Sequence, residues 1–493
     1  MDYDLKIVGG FIVDGTGSPG YAGDIGIRDG KVVAMGQAPA GARTTIEARG
    51  QVVARGVVDI HTHYDAQLLW DVVEKKGTLI NVAVLLGHTP LRLYALGPES
   101  TERAARPEEV RHMKSLMREG LEAGALGYAT SKSPTHVGYE GRPVPSRLAA
   151  FSEIREIASA LGEAGEGVIQ ATVGKELSFD EFAELNRVSG RHVSWTALLG
   201  GGGVLNVGSA AEQLARSNEL QSAGYAVFPQ VTCRPLNFEF RFDQPFLFQS
   251  MPVFAPVNKA DRAEKLRLYA DNSFRAGFRD AMRGPILNAW DKAVIAYCPD
   301  RPEFAERLVR DVAAELGCNS IDLALDLSIQ SDLQTRFRLP VANADEDEVA
   351  TLLRDSCTVL GLSDAGAHAS QLCDACFSTH LLGRWVREKR VLTLEEAVRM
   401  LTSRPAEVFG IKDRGRLAVG MPADVLIFDA ETVGASSLRR VYDLPAGEDR
   451  LISDASGISA VVVNGTLIRR NGVDVLGAEG RLPGRLLRHG AAA

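Results

Sequence analysis

The middle of the chain, roughly residues 56–404, alternates short apolar runs with helix-like stretches. The apolar runs are VVDIHTH (57–63), INVAVLLGH (80–88), GALGYATS (124–131), GVIQATV (167–173), HVSWTALL (192–199), YAVFPQV (225–231) and CTVLGLSDA (357–365). The stretches between them, such as RPEEVRHMKSLMREGLEAG (106–124), have the apolar spacing of amphipathic helices. Strands buried on both faces that alternate with such helices are typical of a parallel sheet. Seven or eight of these units predict an α/β fold with a (β/α)8 barrel of the TIM-barrel type.

Both ends of the chain have a different pattern. Residues 4–60 and the region after about residue 413 contain short alternating strands, separated by Asp-Gly, Asn-Gly and similar turns, without an amphipathic helix. Because the termini of a domain often lie close together, we expect one small β-sandwich built from both ends. The predicted boundaries are 1–57 and 405–470 for the two parts of this β-domain, 58–404 for the barrel and 471–493 for a basic tail that packs loosely.

Composition excludes several classes of function. A net charge of −8 argues against nucleic acid as the main partner. No apolar run approaches the roughly 18 residues of a membrane span, and the first residues do not resemble a secretory signal. Six cysteines in 493 residues do not suggest a disulfide framework. We therefore expect a soluble cytoplasmic protein that acts on a small molecule, alone or as an oligomer.

A His-x-His motif carries the clearest chemical signal. His61 and His63 end the apolar run 57–63, and strand side chains repeat every two residues, so both rings point to the same face. At the end of a barrel strand that face is the mouth, where active sites lie. Two adjacent imidazoles form half of a transition-metal site. The alternative, two unrelated surface histidines, fits less well, because the chain contains only nine histidines.

Asp364 has the corresponding position at the end of the run 357–365. A carboxylate there can bind a metal and accept a proton from an attacking water. It can also cap the N-terminus of a following helix, and both roles can coexist. Together with the histidines, it predicts a metal site formed by His61, His63 and Asp364, with Asp364 also catalytic.

These motifs resemble the amidohydrolase superfamily and, within it, the N-acyl-D-amino-acid deacylase (D-aminoacylase) family. The matching segments are GVVDIHTHYDAQLLWD, GHTPLR, GALGYATS followed by VPSR, GLSDAGAH, TSRPAEVFGI and RGRLAVGMPADVLIFD. They span about residues 5–470. The resemblance implies a barrel with a composite β-domain, Zn²⁺ on His61, His63 and Asp364, and Asp364 as general base.

The chain departs from the family pattern in its second metal site. An Asn-Cys-Gly segment with a metal-binding cysteine is expected between Trp70 and Ile80, and it is absent. Thr172 and Trp195 stand where the family has metal-binding histidines, and His192 begins its strand. The resemblance therefore implies about one Zn²⁺, or another divalent ion, per chain. The barrel could also lack one strand, unless residues 293–298 (AVIAYC) provide it.

Several further side chains are candidates for substrate binding at the mouth. They are His88, Lys132, His136, Arg147 and His368, with Arg234 behind them. The cationic ones could hold a substrate carboxylate. The predicted reaction is hydrolysis of a C–N amide bond. Two alternatives stay open: a cyclic amide, carbamate or ester as substrate in the same superfamily, or a degenerate barrel that only binds a partner.

Overall fold

The computed structural model describes residues 2–63, 73, 75–138, 142–201, 208–249, 251–282, 289–476, 482–489 and 491–492. These residues form a parallel barrel sheet with surrounding helices, a β-domain built from both ends of the chain, and an α+β insertion. In this part of the chain, no helix combines the length and the apolar character needed to cross a bilayer.

Among the described residues, six strands form the parallel barrel sheet, and we number them β1 to β6. They are β1 (Leu85–Gly87), β2 (Gly127–Ser131), β3 (Val168–Thr172), β4 (Val193–Thr196), β5 (Val227–Val231) and β6 (Val359–Leu360), hydrogen-bonded in chain order. The helices of this region are His88–Leu96, Pro107–Glu122, Phe151–Ala164, Phe179–Ser189, Ala210–Ser222, Glu346–Arg354, Phe377–His380, Leu381–Glu388, Leu394–Leu401 and Ser403–Val408. Short polar motifs start several of them: Ser178 with Glu181, Ser209 with Glu212 and Thr393 with Glu396 form capping boxes.

The run that contains the His-x-His motif lies beside β6. Thr62 bridges Ala365 in parallel orientation, and the backbone N–H of His63 donates to the Ala365 carbonyl at 2.8 Å. All seven predicted apolar runs therefore belong to the barrel, and the predicted fold class is confirmed. Within the described residues, no further strand lies between β1 and the segment 58–63. This is the place where the sequence predicts that one barrel strand is missing. Of the stretch between Trp70 and Ile80, residues 71, 72 and 74 lie outside the described residues.

Strands from both ends form one nine-stranded sheet. Its path runs Val473–Asp474, Thr466–Arg470, Ile458–Val463, Val425–Phe428, Val52–Arg55, Tyr3–Val13, Tyr21–Arg28 and Lys31–Gly36, with Ala42–Glu47 paired to Tyr3–Val13. Two-residue turns set the hairpins: Asp29-Gly30 and Asn464-Gly465 both have positive φ at each residue, as a type I′ turn requires. Hydrogen bonds thus link the two ends into a single sheet of the β-domain that the sequence predicts from both termini. The domain boundaries themselves stay a prediction.

An insertion between β5 and β6 was not predicted. Its antiparallel sheet has the order Leu236–Phe240, Arg336–Ala342, Val294–Tyr297 and Arg307–Leu308. Its helices are Arg262–Ala270, Asn272–Ala281, Val309–Leu316 and Ser320–Gln330. Val294–Tyr297 pairs antiparallel on both sides, so residues 293–298 are not a barrel strand, and that expectation is wrong. A separate aromatic core, which includes Phe242, Phe248 and Phe278, explains why this segment folds apart from the barrel.

The described part of the tail packs against the molecule instead of lying loosely. Val82 bridges Leu486 and Thr78 bridges Gly484. Nδ1 of His489 lies 2.7 Å from a carboxylate oxygen of Glu166, and a short hairpin joins Leu487–Arg488 to Ala491–Ala492. The tail therefore contacts the loops that precede β1, β2 and β3, at the end of the barrel opposite the mouth.

Candidate metal centre

His61, His63 and Asp364 meet where two neighbouring chain segments end at the barrel mouth. The Ser363 hydroxyl donates to the His61 carbonyl at 2.9 Å and so ties the two segments together. Asp364 has a φ of 46°, in the left-handed region that Asp tolerates better than most residues. This local turn brings the carboxylate to the two imidazoles.

The three side chains form a nearly equilateral triangle of ligand atoms. Nε2 of His61 lies 3.2 Å from Nε2 of His63, and Oδ1 of Asp364 lies 3.3 Å from the first and 3.5 Å from the second. A tetrahedral zinc with bonds of about 2.0–2.2 Å separates neighbouring ligands by about 3.3–3.6 Å. The residues therefore fit one face of a tetrahedral zinc site. Among the described residues they are also the one His, Cys, Asp and Glu cluster compact enough to hold a metal.

Electrostatics favour the ligand forms of these groups. Burial lowers the pKa of His61, and the opposing effect of Asp364 does not cancel it, so the ring stays neutral at neutral pH. Burial alone would raise the pKa of Asp364, but the hydrogen bond with His63 and the nearby His61 outweigh it and lower that pKa. A neutral imidazole and an ionised carboxylate are the forms that bind a metal.

The positions expected to hold a second metal carry no ligand. The Thr172 and Thr196 hydroxyls, at the ends of β3 and β4, hydrogen-bond each other at 3.0 Å. Trp195 does not face the mouth: it is fully buried among Phe179 and Phe182 of the helix layer. The side-chain alternation of β4 therefore places Thr196, and not Trp195, at the interior position. Nδ1 of His192 donates to the Val408 carbonyl at 2.9 Å, at the start of its strand as expected.

Two of the predicted substrate residues lie near the metal centre. Burial, followed by the electrostatic effects of His63 and His61, lowers the pKa of His136. Its Nδ1 is 2.6 Å from the Ser131 hydroxyl. His368 contributes to the lowered pKa of Asp364 and packs edge-on against Phe238 of the insertion, with ring centroids 5.8 Å apart.

The other predicted substrate residues are engaged elsewhere. His88 is 1% exposed, and its two ring nitrogens contact Thr130 and Glu153. The Lys132 ammonium donates to the carbonyls of Arg147 and Ala149. These contacts hold loops and helices together, so the structure does not bring His88 or Lys132 to the metal centre.

Two cationic candidates also have protein partners. Arg147 donates to the His136 carbonyl at 3.1 Å and thus supports the loop that carries this ring. Arg234 pairs with Asp374 at 2.9 Å. Neither guanidinium contacts His61, His63 or Asp364 in the bonds that the described residues form.

Sequence reasoning missed a row of polar side chains inside the barrel. Gln170, Ser194 and Gln230 lie on β3, β4 and β5, and Gln230 contacts His61. A signal was available: in each of these apolar runs the polar residue lies directly between two apolar ones. A buried polar group needs a partner, so such a residue in an apolar strand indicates a specific contact.

Barrels that hold two histidines and a carboxylate at the carboxyl ends of their strands, with a ligand position left open, are typical of metal-dependent hydrolases. A comparison with known families agrees with this class, since residues 75–469 match the model of the amidohydrolase family. The match covers most of the chain, and this protein belongs to the amidohydrolase family. The membership predicted from the sequence motifs is confirmed.

Relatives with assigned activities align over nearly the full length. N-acyl-D-glutamate deacylase of Alcaligenes xylosoxydans xylosoxydans is 27% identical, over 99% of this chain and 97% of the relative. D-aminoacylase of the same organism is 25% identical, over 94% of each. The first alignment runs over 549 positions, more than the 493 residues of this chain, so the relative has segments that this chain lacks.

Solved structures support the same fold. N-acyl-D-glutamate deacylase of Bordetella bronchiseptica, complexed with zinc and a phosphonate inhibitor, superposes with a TM-score of 0.65 at 24% identity, covering 99% of this chain and all of the other. A D-aminoacylase structure gives a TM-score of 0.64 at 22% identity with the same coverage. These similarities confirm a barrel with an attached β-domain.

Proposed function

We propose that this protein hydrolyses the amide bond of N-acyl-D-amino acids, with a zinc ion held by His61, His63 and Asp364. The observation that carries the proposal is the triangle of ligand atoms, with edges of 3.2, 3.3 and 3.5 Å, at the barrel mouth. The activities named for the relatives, deacylation of N-acyl-D-glutamate and D-aminoacylase activity, support this substrate class.

The two histidines and Asp364 have different roles in the proposed reaction. A zinc ion, when bound, polarises a carbonyl oxygen and lowers the pKa of water. His61 and His63 would hold such an ion through Nε2. The Asp364 carboxylate accepts a proton from the attacking water and transfers it to the leaving nitrogen. Since the pKa of Asp364 is lowered, the carboxylate is ionised at neutral pH and ready to accept this proton.

His136 and His368 are the best supported substrate contacts, because both lie near the three metal-binding side chains. Phe238 of the insertion packs against His368, so the insertion contributes an apolar wall to the same side of the mouth. We further propose that the protein works in the cytoplasm on a small-molecule substrate. All six cysteines are free, which agrees with a reducing compartment.

The test combines metal analysis with an assay. We expect about one zinc per chain in the purified protein, and release of amino acid from N-acetyl-D-amino acids but not from their L-enantiomers. His61→Ala should lower both metal content and turnover. His112→Ala is the matched control, because His112 is an exposed histidine on the helix Pro107–Glu122, where its ring lies tilted beside Tyr94. Two tightly held ions per chain, or no hydrolysis by a zinc-loaded protein, would contradict the proposal.

A second candidate, a barrel that binds a ligand without turnover, is favoured by one observation. The Thr172 and Thr196 hydroxyls hydrogen-bond each other at the ends of β3 and β4, and Thr172 stands where the resemblance to the family places a metal-binding histidine. The same experiment separates the two functions, since a binding protein would bind N-acetyl-D-amino acids without releasing product. Including a cyclic amide and a carbamate in the assay decides whether the substrate class is a different one within the superfamily.

A further inference from the structure

We propose that Gln230 is a positioning residue that fixes the tautomer of His61 from inside the barrel, so that Nε2 of His61 is available to the metal. This inference rests on the proposed metal centre. The carboxamide oxygen of Gln230 lies 3.1 Å from Nδ1 of His61, and Nε2 of the same ring faces His63 and Asp364. The ring therefore contacts the barrel interior with one nitrogen and the metal-binding cluster with the other.

The direction of this hydrogen bond follows from the chemistry of the two groups. A carboxamide oxygen only accepts, so Nδ1 of a neutral His61 must carry the hydrogen. Nε2 then has a free lone pair directed at the cluster. In metal sites the partner of the second ring nitrogen commonly selects the tautomer and the orientation of the imidazole.

Two neighbours determine which end of the carboxamide faces His61. The Gln230 amide nitrogen donates to the Gln170 side-chain oxygen and, at 3.0 Å, to the Ser194 hydroxyl. Gln170 and Ser194 are paired in register on β3 and β4, and β5 follows with Gln230. Because both acceptors lie at the amide end, the oxygen end is left for His61.

Burial argues against a purely stabilising role for this row. Gln230 and Ser194 are fully buried, and Gln170 is 7% exposed with an amide nitrogen that has no partner. Buried polar groups cost free energy that an apolar side chain would avoid, so stability alone does not explain three of them in the barrel interior.

Gly361 also leaves room for the carboxamide. It follows β6, three residues before Asp364, and a Cβ there would lie 3.0 Å from the Gln230 oxygen and 3.0 Å from Ile60. Such a contact is tighter than an ordinary van der Waals distance, so a side chain at residue 361 would push against Gln230 or the His61 segment. The glycine thus permits the close approach of the carboxamide to the segment that carries His61.

The test uses two substitutions at Gln230 and one matched control. Gln230→Met has a similar shape but no acceptor, whereas Gln230→Glu keeps an acceptor for Nδ1. Gln213→Met is the control, since Gln213 is another buried glutamine, on the helix Ala210–Ser222, and donates to the Gly208 carbonyl. The tautomer of His61 is read from the ¹⁵N shifts of its ring in the metal-free, full-length protein, with the signals assigned by their loss in His61→Ala. Zinc affinity is measured by competition with a chelator.

We expect the parent protein, Gln230→Glu and Gln213→Met to carry the hydrogen of His61 on Nδ1. In Gln230→Met the Nε2–H tautomer should appear, and zinc affinity should fall about 10- to 100-fold, as for other groups that orient a metal ligand. Gln230→Met with the parent's tautomer and affinity would overturn the proposal. If that variant does not fold, Gln230→Glu decides: an Nε2–H tautomer there would overturn it as well. A parent that binds no zinc would refute the metal centre, while the ring shifts would still decide the role of Gln230.

Discussion

Among the three side chains proposed to bind the metal, Asp364 differs from the histidines in the number of tasks that it can perform. A neutral imidazole whose Nε2 lone pair binds a metal has no second lone pair that could accept a proton. A carboxylate has two oxygens, so one can bind the metal while the other accepts a proton. Oδ1 of Asp364 is the atom nearest to both rings, at 3.3 and 3.5 Å. Loss of Asp364 and loss of a histidine should therefore have different consequences.

We expect Asp364→Asn to keep the fold and to reduce turnover by about 10²–10⁴, because the amide cannot accept the proton of the attacking water. His61→Ala should instead lower metal occupancy first, and excess zinc should restore part of the activity. Steady-state kinetics with and without added zinc, together with metal analysis, measure both effects. Near-normal turnover of Asp364→Asn would mean that Asp364 is only a structural turn residue.

His380 offers a prediction on pH. Burial, followed by Arg234 and Arg384, lowers its pKa from 6.5 to about 4. Above pH 6.5 the His380 ring is neutral in the folded and in the unfolded chain. As the pH falls below 6.5, the ring becomes protonated in the unfolded chain but stays neutral in the folded one until the pH approaches 4. Stability is therefore lost between about pH 6.5 and 4, on the order of 2 kcal/mol at pH 4.5.

His380→Gln should remove this loss. The variant should show a smaller drop in the free energy of unfolding between pH 7 and 4.5 than the parent, as measured by urea denaturation. An equal drop in both proteins would show that His380 titrates normally in the folded state.

At the scale of elements, a buried ionic cluster joins two helices of the barrel wall. Glu153, on the helix Phe151–Ala164, accepts from Arg92 at 2.6 Å and contacts His88 at 2.8 Å. All three side chains are at most 3% exposed. Burial would raise the pKa of Glu153, but the hydrogen bond with His88 and the charge of Arg92 lower it. The helix His88–Leu96 is thus held in place through the residue that begins it.

Glu153→Gln should lower the free energy of unfolding by about 3 kcal/mol, because it leaves the Arg92 cation buried without a counter-charge. The midpoint of denaturant unfolding measures the effect. Glu163→Gln, at the exposed end of the same helix, is the control: it removes surface pairs with Lys114 and Arg118 and should cost less than about 1 kcal/mol. Similar losses in both variants would contradict the role of the buried cluster.

For the whole molecule, the decisive feature is the sheet that joins both ends of the chain. Val425–Phe428 pairs with Val52–Arg55, and residues from both ends form one apolar core that includes Ile7, Ile27, Val425 and Val462. Arg55, which is 1% exposed, forms an ion pair with Asp424 at 3.0 Å. The N-terminal strands therefore depend on the C-terminal ones for burial and for charge compensation.

A chain that ends at residue 404 should aggregate, because the edge of Val52–Arg55 and the apolar side chains of the N-terminal strands become exposed. Size-exclusion chromatography of the truncated and the full-length protein measures this. Coexpression of residues 405–493 as a separate chain should restore a discrete species. A monodisperse truncated protein would contradict the composite β-domain.

Local patterns were sufficient for the barrel strands and for the cluster of His61, His63 and Asp364. The period of two in the run 57–63 places His61 and His63 on one face, and parallel strands place the residues that follow them at one end of the sheet, which brings in Asp364. The Asp29-Gly30 and Asn464-Gly465 turns likewise specify their hairpins, because few other residues adopt positive φ at both positions. These features depend on neighbours in the chain, so the sequence by itself determined them.

Other features depend on which segments meet in space, and only the tertiary structure decided them. Val294–Tyr297 has the apolar pattern of a barrel strand, but the strands that pair with it lie in the insertion. There Ile295 packs into the aromatic core. The position of His88 at the end of an apolar run predicts a residue at the barrel mouth. Its ring instead contacts Glu153, 65 positions later, in a buried cluster. The contact between Gln230 and His61 spans 169 positions and needs three aligned strands to orient the carboxamide. Long-range pairing and burial set these partners, and no local period encodes them.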